Sequence, residues 1–216
     1  MLLISGPELG QRVPQHTAVI DAAKKAGAKL LAYTSMLRAD SSTLALAAEH
    51  KATEEIIRAS GLAFVFLRNG WYLENHTQQL GSAVQHGAIL GAAGEGRFAS
   101  AARSDYAAAA IAVLTGSGHE NKIYELAGDT PYTLSELATE VSKQAGRPVS
   151  YNDLPPKELE SALLSFGLPA ALAEVLVDAD LGAAKGGLDS SSSDLPSLIG
   201  RPTVRLADAV TTALKS

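Results

Sequence analysis

Apolar positions along the chain fall into two alternating patterns. Short unbroken runs, Met1 to Ser5, Lys29 to Thr34 and Ala63-Phe64-Val65-Phe66-Leu67, are rich in branched and aromatic side chains, and they predict buried parallel strands. Between them the apolar spacing is helical. Val19, Ile20, Ala22, Ala23 and Ala26 line a helix from Pro14 to Gly27. Leu46, Ala47, His50, Thr53, Ile56 and Ile57 line another from Leu44 to Ser60, with Gly61 as its stop. Strand, helix, strand, helix, strand with short joints predicts right-handed parallel crossovers and an α/β sheet.

Further along, a helical piece runs to His86 and stops at Gly87, an Ala-rich helix follows Ser104, and Lys122 to Leu126 reads as a strand. The texture changes after Asp129. Thr133-Leu134-Ser135-Glu136 is a capping box opening a helix that stops at Gly146, and Val149 to Tyr151 is a short strand. Pro155-Pro156 and Pro169 start two helices, in which Leu159, Leu163, Leu164, Leu172, Val175 and Leu176 are expected in the core. Gly182 to Ser193 reads as a mobile connector and Leu206 to Leu214 as a last helix. The change of texture divides the chain into 1–128, an α/β part, and 129–216, a smaller, mostly helical lobe.

Composition narrows the partners. The 216 residues include no Cys, which excludes disulfides, thiolate catalysis and cysteine zinc sites. The five histidines have no metal-ligand spacing, so no metal is expected. A net charge of -5 with scattered Lys and Arg argues against nucleic acid, and no apolar run approaches a membrane span. A cytoplasmic protein acting on small molecules is the expectation.

Candidate chemistry lies where strands end, because open α/β sheets bind ligands outside their carboxyl edges. Leu67-Arg68-Asn69-Gly70-Trp71-Tyr72-Leu73-Glu74-Asn75 follows the third apolar run. Gly70 permits close backbone approach, while Trp71 and Tyr72 offer flat faces to a ring or simply cap the core. Tyr33-Thr34-Ser35 brings hydroxyls to the same edge, where they can bind a ligand or cap a turn. His50 lies on the inward helix face, as a satisfied core residue or as a catalyst. Gly91-Ala92-Ala93-Gly94-Glu95-Gly96 resembles a phosphate loop only superficially and is read as a turn.

Four segments together resemble the NmrA-like branch of atypical short-chain dehydrogenases, near the bacterial NAD(P)H:quinone oxidoreductases and triphenylmethane dye reductases. They are Leu2-Leu3-Ile4-Ser5 with Gly10-Gln11-Arg12, Ala32-Tyr33-Thr34-Ser35, Leu67 to Tyr72 with Glu74-Asn75, and Gly94-Glu95-Gly96 through Ala99-Ser100 to Arg103-Ser104-Asp105-Tyr106. Lys185-Gly186-Gly187 and Leu198-Ile199-Gly200 extend the match.

The resemblance implies an enzyme that passes hydride from NADPH or NADH to a quinone-like acceptor, with neither flavin nor metal. A non-enzymatic nicotinamide sensor or partner-binding protein, or an inactive fragment, is the alternative. It assigns Ser5, Gly6, Pro7, Glu8, Leu9, Thr34 and Asn69 to Glu74 to the cofactor, and Trp71, Tyr72 and Asn75 to the substrate. His50, Tyr33 and Ser35 become the catalytic candidates, His50 standing where many relatives have Lys. The family's opening glycine-rich βαβ unit is absent from this sequence. A partial Rossmann-like sheet, lacking its first strands, is therefore expected, with the edge of Met1 to Ser5 open to self-association.

Overall fold

In a computed structural model, which describes residues 1–215, the chain forms two compact units. The first comprises 1–70, 104–127 and 192–201, and the second 71–103, 128–191 and 202–216.

The first unit is built on a parallel sheet of β1 (Leu2–Leu3), β2 (Leu31–Met36), β3 (Phe64–Asn69) and β5 (Lys122–Leu126), in the order β1-β2-β3-β5. Tyr33 pairs with Phe66 and Leu67 with Tyr124, each strand lying parallel to its neighbour. All six residues of β3 are buried, as expected for a central strand covered on both faces. Helices α1 (Arg12–Lys25) and α2 (Ala47–Ala59) pack on one face, where Ile20 and Ile57 meet Tyr33, Phe64 and Phe66. Helix α5 (Arg103–Thr115) buries Tyr106, Ala109 and Val113. Among the described residues strand β1 pairs with β2 alone, and Ile4 is 68% exposed.

Several boundaries move. Strands β2 and β3 run two residues beyond their expected ends, because Ser35 and Arg68 are neutralised inside the fold and a polar side chain does not stop a strand when it is paired there. Asn69 and Ser35 therefore stand within strands, not in the loops after them. Helix α1 begins at Arg12, placing Pro14 inside its first turn, where no amide donor is needed. Helix α9 (Asp194–Ile199) was not expected, since Pro196 masks it; it also stands at an N-terminal position that tolerates Pro.

The second unit holds α3 (Leu73–Thr77), α4 (Leu80–His86) and a parallel pair, β4 (Ala88–Gly91) with β6 (Ser150–Asp153). Around them lie α6 (Leu134–Ala145), α7 (Pro156–Ser165), α8 (Ala170–Ala184) and α10 (Leu206–Ala213). The capping box at Thr133 is complete, with Thr133 Oγ1 accepting from the Glu136 amide at 3.1 Å and Glu136 Oε2 from the Thr133 amide at 2.8 Å. The expected connector is partly helix and partly core. Gly182 and Ala183 belong to α8, and Leu188 is buried with its carbonyl accepting from the Ala99 amide. Leu164 and Leu172, expected in the core, are 43% and 46% exposed, because Leu159 and Ala173 occupy the inward positions of α7 and α8.

Candidate active site

In the first unit, alternation along β2 sends Tyr33 and Ser35 to the face covered by α2 and Thr34 to the other. Tyr33 is fully buried, and its hydroxyl lies 2.8 Å from His50 Nδ1. Burial pushes the phenol well above its ordinary range, so it stays protonated. His50 is 6% exposed, and burial foremost, then the charge of Arg12, pushes the imidazole down to about 3. It is neutral at physiological pH. No hydrogen bond to its Nε2 is seen among the described residues.

Ser35 and Arg68 build a second cluster on the same face. Ser35 Oγ donates to Glu54 Oε1 at 2.7 Å, and Arg68 forks onto Glu54 through Nε at 2.9 Å and Nη2 at 2.7 Å. Arg68 Nη1 reaches Glu125 at 2.8 Å and Asp40 at 3.2 Å. Although burial opposes the charge, hydrogen bonds to Glu54 and Glu125 drive the guanidinium above its already high range. Ser35 is thus bound inward as part of a structural ion cluster.

The turn after β1 is half-buried at Ser5 and Gly6 and exposed from Pro7 to Leu9. The Ser5 amide donates to Thr34 Oγ1 at 2.9 Å. Gly6 is held at both backbone groups, its carbonyl accepting from Arg12 Nε at 2.7 Å and its N–H donating to His16 Nε2 at 3.1 Å. The Glu8 carboxylate is occupied by Gln15 at 2.6 Å. Asn69 ends β3, and the Gly70 amide donates to the Leu126 carbonyl at 2.8 Å. His16 and Arg12, which organise this turn, escaped sequence reading; ten and six residues separate them from Gly6, and only the helix's return path joins them.

In the second unit, Trp71 and Tyr72 are half-buried and Leu73 is buried. The Arg103 guanidinium lies 4.2 Å from the centre of the Tyr72 ring, its amide donates to the Glu74 carboxylate at 3.0 and 3.1 Å, and its Nη2 donates to Asn75 Oδ1 at 3.3 Å. Leu73 also borders a cavity of about 520 Å³ that includes Ser100, Tyr132, Asp129 and Arg97. Its charges are satisfied within the unit, Arg97 by Glu136 at 3.4 Å and Asp129 by the Thr203 amide at 2.7 Å. The Gly91–Gly96 loop holds the expected turn, the Gly96 amide donating to the Ala93 carbonyl at 2.7 Å, and is pinned besides: the amides of Ala92, Ala93 and Gly94 donate to Asp180, Tyr151 and Asp153. Among the described residues no group of three potential metal ligands occurs, and no helix is long and apolar enough to cross a membrane.

Comparison with known proteins identifies the family. The chain is 53% identical over 210 residues to quinone oxidoreductase 2 of Escherichia coli, covering 97% of this chain and 73% of that protein. A crystal structure of an NADPH-dependent quinone oxidoreductase of Escherichia coli, complexed with NADPH, matches with a TM-score of 0.96 at 52% identity, over 99% of this chain and 75% of that one. The triphenylmethane reductase of Citrobacter sp. matches with a TM-score of 0.94 at 36% identity, over 100% of this chain and 76% of that one. The model of the NmrA-like family spans residues 2–195, and the chain belongs to that family.

Proposed function

We propose that the protein is an NAD(P)H-dependent oxidoreductase that reduces quinones or quinone-like compounds. The observation that carries this is the 53% identity, sustained over 97% of the chain, to a quinone oxidoreductase. NADPH is the cofactor favoured, being the ligand of the similar Escherichia coli structure.

The residues present fit the ribose and nicotinamide end of such a cofactor. Ser5 offers a hydroxyl at the carboxyl end of β1, Pro7 and Leu9 offer exposed apolar faces, and the nearby carboxylate of Glu8 is drawn aside by Gln15. Thr34, Asn69 and Gly70 are assigned to the same end in the first unit, and Trp71 to Glu74 in the second. Trp71, Tyr72 and Asn75 are assigned to the acceptor. When bound, the reduced nicotinamide supplies a hydride.

Within the chain the chemistry falls to His50 and the residues that orient it. We infer that the protonated Tyr33 hydroxyl donates to Nδ1, 2.8 Å away, which puts the imidazole's own proton on Nε2. A neutral Nε2–H stabilises the charge that develops on an acceptor's carbonyl oxygen by hydrogen bonding while keeping its own proton, and that oxygen takes its proton from water. Tyr33, fully buried, acts through His50, while Ser35 is held by Glu54 in the structural ion cluster. NADPH oxidation measured with 1,4-benzoquinone tests the reading. Wild type should turn over and His50→Ala should lower kcat by about 10- to 100-fold; an absence of quinone-dependent oxidation by the wild type would refute it. The exposed edge of β1 is the surface assigned to self-association.

A further inference from the structure

The network behind Gly6 admits one protonation pattern. An imidazole nitrogen that accepts an amide proton carries none itself, so the Gly6 amide at 3.1 Å leaves His16 Nε2 bare. The ring proton then sits on Nδ1 and donates to Thr53 Oγ1 at 3.0 Å. Thr53 passes its own proton to the Glu49 carbonyl at 2.8 Å. His16 is 2% exposed and stands edge-on to the Tyr33 ring, with centroids 5.5 Å apart, so it has no alternative partner to turn towards. An imidazolium would confront the Gly6 N–H with a second N–H.

We propose that His16 is a positioning residue for the cofactor: as the neutral Nδ1–H tautomer it fixes Gly6, and with it the Ser5–Leu9 turn, and its protonation releases that turn. This rests on the assignment of Ser5 to Leu9 to the cofactor made above. The groups facing His16 are Arg12 from its own helix, Glu49, His50 and Thr53 from α2, and Tyr33 from β2. Burial and then Arg12 oppose the imidazolium, while Glu49 favours it, and the result is a ring harder to protonate than a free histidine. The turn is therefore locked at neutral pH and loosens in acid.

His16→Gln and His16→Leu separate the roles. Glutamine can accept from Gly6 and donate to Thr53, whereas leucine can do neither. At neutral pH, nitrogen NMR of the wild type should show protonated Nδ1 and bare Nε2, with the Gly6 amide and the His16 ring titrating together in acid. The Kd for NADPH should rise about tenfold in H16L, the equivalent of one hydrogen bond, and stay within about threefold in H16Q. Wild type should lose affinity in acid along the His16 titration, and H16Q should not. If H16L does not fold, the pH comparison of wild type with H16Q carries the test. An acid loss shared by H16Q, or a wild-type Kd in H16L, overturns the role of His16. A wild type that binds no NADPH at neutral pH overturns the assignment of the turn, and the Gly6–His16 coupling seen by NMR distinguishes that failure from a failure of the clamp.

Discussion

His50 is held in a state that a surface histidine would leave. Its imidazole titrates near 3 in the fold and near 6.5 in an unfolded chain, so the unfolded state takes up the proton first. The stabilisation is complete above about pH 6.5 and is lost progressively as pH falls towards 3. His76, pushed down to about 4 by burial and bonded to the Tyr132 hydroxyl at 2.8 Å, acts in the same direction. Each histidine contributes a slope of roughly 1.4 kcal/mol per pH unit in this window. Urea midpoints measured between pH 7 and 4 should fall steeply, and His50→Gln should flatten the curve; an unchanged slope in the variant would show that His50 is not buried neutral. The same neutrality gives a kinetic expectation. Because His50 does not change charge between pH 5 and 9, kcat should not show a histidine-like limb there, whereas His50→Lys should introduce one where the lysine titrates.

At the scale of elements, the ends of β2, β3 and β5 are joined to α2 by Arg68. Removing one partner of a buried ion pair costs about 3–5 kcal/mol, since the remaining charge is left without its counter-ion. Glu54→Gln should therefore lower the urea midpoint far more than Asp40→Asn, whose carboxylate is 62% exposed; equal effects would mean that the fork onto Glu54 carries little. Close approach of elements gives a second expectation. A Cβ on Gly96 would stand 2.5 Å from the Ala183 carbonyl carbon, so Gly96→Ala should destabilise the second unit by at least about 1–3 kcal/mol, read by thermal denaturation.

The strands and most helices were legible because continuous apolar runs and helical spacing are local properties. The Thr133 cap was legible for the same reason, its two partners lying three residues apart. The burial of Arg68 was not, since its neutralising groups lie 14 and 57 residues away in sequence. Of the candidate site, the end of β3 could be marked from the apolar run that precedes it, whereas the turn after β1 was assigned only through the family resemblance. The inward aim of Tyr33 and Ser35 was not legible, because their partners, His50 and Glu54, lie 17 and 19 residues away on a separate helix.

At the scale of the molecule, neither compact unit is a continuous stretch of chain. Residues 192–201 return to the first unit, where Asp194 accepts from the Glu125 amide at 2.9 Å and Arg201 lies 2.7 Å from the fully buried Asp105. A fragment of residues 1–128 loses that return, and with it the Arg201 guanidinium beside the buried Asp105, so it should lack a cooperative thermal transition, which circular dichroism would show. The β1 edge bears on assembly. If copies associate there, Ile4→Lys should shift the mass measured by light scattering to that of a single chain.

Trp71 is the chain's sole tryptophan, half-buried at the first residue of the second unit. Indole emission from this protein therefore arises at one address, immediately beyond the carboxyl end of β3. Quenching or a colour change on adding a dye or a nicotinamide is read from that single emitter, and a library of acceptors can be screened optically with no label attached.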